Sequence, residues 1–118
     1  MSISTKKGDS GSTTLGQKRR VSKSHQIIAV LGDLDELNTY LGWARITVTR
    51  IHAKQLAKIQ TNLFWLGAIL AGTAKKCDRH DDLTKQLVQL ETELANAERD
   101  LPPLTRFILP AGCESACR

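Results

Sequence analysis

Long hydrophobic runs are scarce in this sequence: the longest, Leu63 to Ala71, is interrupted by Gly67 and falls far short of the roughly 20 residues that span a bilayer. No membrane partner is therefore expected. Aromatic residues are few, two Trp, one Tyr and two Phe, and none flanks the basic stretch near the N-terminus, so the stacking platforms of a nucleic-acid binder are missing. No nucleic-acid partner is expected either. Cysteine occurs three times, at Cys77, Cys113 and Cys117, and no leader pattern of charged start, apolar run and small-residue cleavage site is visible. The odd count and the missing leader predict a reducing, cytoplasmic setting. Cys77, His80, Cys113 and Cys117 have the chemistry of zinc ligands, but their spacing forms no pair of knuckles, and no metal site is expected. His25 and His52 have no nucleophile placed beside them in the sequence and read as surface residues.

What is present is helical spacing. At 118 residues the chain suits one domain with a core of its own. Leu34, Leu37, Leu41, Ala44 and Val48 fall on one stripe, with Gly32 and Asp33 as stop and cap before it, which predicts a helix near 33–50. Asp33 then complements the dipole at the start of that helix. Leu56, Ile59, Leu63, Leu66 and Leu70 continue the period. Phe64, Trp65 and Ile69 widen that face, which predicts a central helix buried on more than one side. Leu83, Leu87, Leu90, Leu94 and Ala97 mark a third helix that Pro102 and Pro103 close near Asp100. Short links between the three predict an all-α antiparallel bundle, and no alternating run demands a sheet.

Lysine and arginine outnumber aspartate and glutamate by 17 to 12, and much of the excess lies in Lys6, Lys7, Lys18, Arg19, Arg20 and Lys23. Around them run glycines and hydroxyls, from Thr5 to Gly16. Glycine lets backbone amides approach an anion, hydroxyls donate to phosphate oxygens and lysine supplies charge, so the stretch suits a polyphosphate. The same composition also fits a disordered basic tail. It is not a P-loop: Gly11 and Gly16 keep the interval, but Gln17 stands where the lysine belongs and no strand precedes. In the stretch Gly32 to Asn38, the helical step points Asp35, Glu36 and Asn38 in different directions, leaving at least one to meet a neighbouring subunit or a basic ligand loop. Between Pro102 and Pro110, the apolar run is either cover for a core or, at Phe107, the lining of a ligand pocket.

Taken in order, the Gly-Asp-x-Gly-x-Thr loop at Gly8 to Thr13, Arg20-Val21-Ser22-Lys23, Gly32 to Asn38, Ile59 to Phe64, and Phe107-Ile108-Leu109-Pro110 resemble the trimeric ATP:cob(I)alamin adenosyltransferase family. The resemblance spans nearly the whole chain. It implies a five-helix bundle, here without its C-terminal helices, preceded by a flexible glycine-rich loop. Residues 1–26 would be that nucleotide-binding loop and residues 27–118 the helical bundle domain. Thr5, Lys6, Gly8, Asp9, Gly11, Thr13, Thr14 and Lys23 would hold ATP and its Mg2+. Asp35 and Asn38 would lie at a subunit interface, Asp35 facing an arginine of the next subunit in a homotrimer. Phe107 would form part of the apolar wall beneath the corrinoid. The activity implied is transfer of the 5′-deoxyadenosyl group of ATP to the cobalt of cob(I)alamin or a related corrinoid.

The chain also departs from the family pattern. Lys7 replaces a threonine or small polar residue, Gln26-Ile27 replaces Pro-Arg, and Ala111 replaces a glycine. The family's arginine-bearing C-terminal helix, which meets the ATP phosphates, is not matched before Cys117-Arg118. The alternative expectation is therefore a catalytically inactive shortened homologue that binds nucleotide or corrinoid, or only oligomerises.

Overall fold

The computed structural model describes residue 6 and residues 8–74, 80–109 and 111–117. Thr5, Lys7, Cys77 and Pro110, named above, lie outside them. The chain forms two compact units, residues 1–75 and residues 76–117.

The first unit opens with a small antiparallel hairpin, β1 (Ser12–Thr14) and β2 (Arg20–Ser22), in which Thr13 faces Val21. A 3-10 turn, Gly16–Lys18, joins the strands, and Leu15 N–H closes the ladder onto the Arg19 carbonyl at 2.8 Å. Sequence patterning gives no sign of this sheet, because two strands of three residues are too short for an alternation to show. Val21 is its anchor, 8% exposed and the buried hydrophobic among the described residues.

Two long helices follow, α1 (Gln26–Arg45) and α2 (Arg50–Leu70). Helix α1 does not begin at Asp33. The imidazole Nδ1 of His25 accepts the Ile27 N–H at 3.1 Å, so a histidine fills the capping role that serine or aspartate more often takes, and the helix starts at Gln26. Gly32 and Asp33 are consequently inside the helix, and the dipole account of Asp33 does not apply. Thr49 caps α2, its hydroxyl accepting from His52 N–H at 3.5 Å. The pair is antiparallel: Asn38 sits against Gln60, while the start of α1 at Leu31 lies against Gly67 further along α2.

Leu34, Leu41, Ala44 and Val48 of the first stripe are half-buried, as are Leu56, Ile59 and Leu63 of the second. Leu37, Tyr40 and Trp43 are about half exposed, and Phe64 is 71% exposed. The expected burial of Phe64 is thus not met within this unit. Helix α1 covers one side of α2, and Phe64 projects from another.

The second unit holds α3 (His80–Arg99) and the single turn α4 (Glu114–Cys117). Asp81 and Asp82 lie in the first turn of α3 and Arg99 in its last, matching charge to the helix dipole at both ends. The helix stops before Pro102, with Leu101 N–H returning to the Glu98 carbonyl at 3.0 Å. Among the described residues no helix is long and apolar enough to cross a membrane.

Gly67 offers a check on the α1–α2 packing. A Cβ there would meet Leu31 Cδ2 at 3.8 Å, an ordinary contact, and alanine is the better helix former by about 0.5–1 kcal/mol. Gly67→Ala is expected to raise thermal stability by about that amount; a melting curve shifted downward would show that α1 and α2 lie closer than described.

Candidate functional site

Two places in the first unit gather the expected site residues. One is the turn that leads into β1. Asp9 N–H reaches the Lys6 carbonyl at 3.3 Å and Gly11 N–H the Gly8 carbonyl at 3.2 Å, so residues 8–11 form a turn. Gly11 has φ +77°, a left-handed conformation that glycine adopts without strain. Lys23, just beyond β2, donates its backbone N–H to the Gly11 carbonyl at 2.9 Å. Its side chain crosses the turn: a Cβ added to Gly8 would lie 3.3 Å from both Lys23 Cε and Nζ. A side chain at Gly8 would crowd the ammonium, which would have to give by a few tenths of an ångström.

The turn thus gathers Lys6, Gly8, Asp9, Gly11 and Lys23. Thr13 is half-buried and Thr14 exposed along β1. Arg20, not singled out by the sequence as a site residue, grips the adjoining hydroxyls. Its Nε and one terminal nitrogen donate to Ser12 Oγ at 2.9 and 2.6 Å, and that nitrogen reaches Ser10 Oγ at 3.5 Å. Arg20 and Ser12 are diagonal neighbours on the hairpin, a relation legible only once the strand register is known. A magnesium ion carried by a nucleotide binds through phosphate oxygens, water and one or two carboxylates. Asp9 is an exposed carboxylate in that turn.

The second place is an open pocket of about 370 Å³ between α1 and α2, lined by Asp35, Asn38, Thr39, Gly42 and Gln60. Gln60 spans the two helices. Its Nε2 donates to the Asn38 backbone carbonyl at 2.8 Å and its Oε1 accepts from Arg45 at 2.6 Å. Asn38 Nδ2 in turn donates to the Gln60 backbone carbonyl at 3.4 Å. Asn38 Oδ1 is buried and has no hydrogen-bond partner among the described residues, a costly arrangement for a polar atom. Thr39 bonds the Asp35 carbonyl at 2.9 Å, which leaves the Asp35 carboxylate free of that hydroxyl. Asp35 and Asn38 therefore line one pocket, to which the exposed Asp35 brings a carboxylate.

Phe107 is fully exposed in the irregular segment that follows α3. Among the described residues no group of three or more His, Cys, Asp or Glu could hold a metal ion by itself.

The hairpin and the helical pair define a helical protein with a glycine-bearing turn ahead of its helices. The chain belongs to the cobalamin adenosyltransferase family, whose profile matches residues 3–118. It is 36% identical over 121 aligned positions to the corrinoid adenosyltransferase PduO of Salmonella typhimurium, an alignment that takes in 100% of this chain and 36% of that protein. It is 34% identical to the human corrinoid adenosyltransferase MMAB, across 98% of this chain and 53% of the relative. The chain thus spans between about a third and about half the length of these curated relatives. Among solved structures it is similar to a variant PduO-type ATP:corrinoid adenosyltransferase from Lactobacillus reuteri complexed with cobalamin and ATP, with a TM-score of 0.81 and 29% identity, covering 98% of this chain and 67% of that one. A second variant of that protein, complexed with ATP, gives a TM-score of 0.82. The all-helical family fold expected from the sequence is therefore the fold observed, with the hairpin as an addition.

Gln60→Leu removes the two side-chain hydrogen bonds, to the Asn38 carbonyl and from Arg45, while keeping the apolar bulk. It is expected to lower unfolding stability by about 1–3 kcal/mol, read from a urea titration; an unchanged midpoint would show that the crosslink carries no weight.

Proposed function

We propose that this protein transfers the 5′-deoxyadenosyl group of ATP to the cobalt of a reduced corrinoid such as cob(I)alamin. The observation that carries this reading is the Gly8–Gly11 turn with the Lys23 ammonium held across it, in a chain whose family relatives are corrinoid adenosyltransferases. Residues 1–26 serve as the nucleotide loop and residues 27–118 as the helical domain. Lys6, Lys23, the turn amides and the hydroxyls of Thr5, Thr13 and Thr14 take the triphosphate, and Asp9 takes its Mg2+. Phe107 contributes to the apolar wall against the corrinoid. The protein works in the cytoplasm as a homotrimer, and Asp35 and Asn38 lie where subunits meet. The exposure of Leu37, Tyr40, Trp43 and Phe64 favours that assembly.

In the reaction the cobalt(I) lone pair attacks C5′ of ATP. The cobalt–carbon bond forms, the C5′–O bond breaks, and triphosphate departs with the electron pair. The corrinoid supplies the nucleophile. The protein's part is to hold C5′ in line with cobalt and to neutralise the charge that gathers on the leaving triphosphate. Lys23 is placed for the second task, since an ammonium over the glycine turn meets phosphate oxygens with charge-assisted hydrogen bonds.

The decisive experiment is anaerobic adenosylation with Mg-ATP and chemically reduced cob(I)alamin, following loss of the cob(I)alamin absorption band against a no-protein control. Turnover is expected. A folded chain that binds Mg-ATP without turnover would support the inactive homologue instead. Lys23→Met is expected to weaken Mg-ATP binding by about tenfold or more, the scale of one charge-assisted contact, with helicity unchanged. Equal affinity by calorimetry would remove Lys23 from the site.

A further inference from the structure

The loop that carries the Gly8–Gly11 turn is tied to the end of α2 through Gly16, and two glycines make that contact possible. Gly16 lies two residues past β1 and donates its backbone N–H to the Ala71 carbonyl at 2.7 Å. The last carbonyls of a helix have no intrahelical donor, and Ala71 is the C-cap of α2, so the hairpin supplies the donor that the helix end lacks. The neighbouring carbonyls are satisfied locally: Thr73 bonds Ala68 through both its N–H and its hydroxyl at 2.9 Å, and Gly72 N–H bonds Ile69 at 3.0 Å.

The fit at Gly16 is backbone against backbone. A Cβ on Gly16 would overlap the carbonyl group of Gly72 and lie 2.6 Å from Thr73 N, and none of these atoms is the end of a flexible side chain. Gly72 ends α2 with φ +73°, the left-handed conformation that turns the chain away and lets Gly16 come this close. Gly72 itself has room, since its own Cβ would meet Gly16 O at an ordinary 3.8 Å. One glycine is required by space and the other by backbone conformation.

We infer that Gly16 and Gly72 are positioning residues for the nucleotide: their interlock fixes the hairpin, and with it the Gly8–Gly11 turn and Lys23, on the C-terminal end of α2. The inference rests on the reading of that turn as the nucleotide clasp. A strand of three residues spans only about 10 Å, so a displacement at Gly16 passes to the turn with little to absorb it. Helix α2 also carries Gln60, about 15 Å back along its axis at 1.5 Å per residue. The nucleotide turn and the Asp35–Asn38 pocket are thereby referenced to one rigid rod.

The test compares Gly16→Ala with the unaltered chain, using Gly67→Ala as a glycine change away from the interlock. Hydrogen exchange is followed across residues 12–22 and across α1, and anaerobic adenosylation is measured with ATP and corrinoid varied separately. Gly16→Ala is expected to speed exchange in residues 12–22 but not in α1, and to raise the KM for ATP by about tenfold or more, since displacement by about an ångström costs up to about a hundredfold. The kcat at saturating ATP and the KM for corrinoid stay within about twofold. Gly72→Asn, which tolerates the left-handed conformation, retains the properties of the unaltered chain, whereas the β-branched Gly72→Val behaves like Gly16→Ala. Unchanged exchange in Gly16→Ala overturns the interlock. Faster exchange with an unchanged KM for ATP overturns the positioning role, as does a loss spread evenly over every parameter with a lowered melting temperature. If the unaltered chain takes up no Mg-ATP, the nucleotide reading itself fails and the positioning role falls with it; the interlock is then judged by exchange alone.

Discussion

The side chain of Gln60 determines how α1 lies on α2. Helix α1 carries apolar residues on several sides, with Leu34 and Leu41 half-buried and Val30, Tyr40 and Trp43 turned outward, so a hydrophobic stripe alone would allow more than one rotation against its neighbour. The carboxamide of Gln60 removes that freedom. One end donates to the Asn38 carbonyl and the other accepts from Arg45, a geometry that a helix rotated or slid by one residue could not satisfy. Each bond is worth about 1 kcal/mol net, but the directional demand selects a single register. Gly42 permits the approach, since a Cβ there would stand 3.0 Å from the Gln60 amide nitrogen. From that register follows the convergence of Asp35 and Asn38 on one pocket.

Helices α2 and α3 were legible in the sequence because their apolar periodicity is strong, and Pro102 and Pro103 mark the stop after α3. The start of α1 was not. Gly32-Asp33 carries the composition of a stop and a cap, whereas the observed cap is an imidazole, which sequence rules rank low. The hairpin escaped notice because its strands are short and polar. Within the site, the glycine turn and Lys23 could be read from local composition and from the order of motifs, since the residues that meet there are close in the chain. Gln60, Arg20, Gly16 and Gly72 could not be assigned roles that way. Gln60 acts on a residue 22 positions away, and the two glycines meet only because the hairpin folds back onto the far end of α2. Contacts of that kind leave no local signature: a glycine required by a distant backbone looks the same in sequence as one in a loose turn.

The apolar surface left open by the helical pair bears on both stability and chemistry. Tyr40 and Trp43 lie with ring centroids 6.4 Å apart and remain about half exposed, and Phe64 stands further out. Surface of that size in water disfavours an isolated pair, and the proposed homotrimer supplies cover for it. The proposed transfer to cobalt would also gain from a site that excludes water, because the charge separating onto triphosphate is stabilised more strongly by fixed groups in a low dielectric. If one association event both covers the helices and dries the site, folding stability and turnover share a dependence on protomer concentration, since ligands and subunits that bind the folded state stabilise it by mass action. The proposed nucleotide loop would then report on the proposed assembly through α2. Its anchor is the end of the helix whose other residues form the pair, so whatever firms the packing of α2 also firms the seat of Lys23.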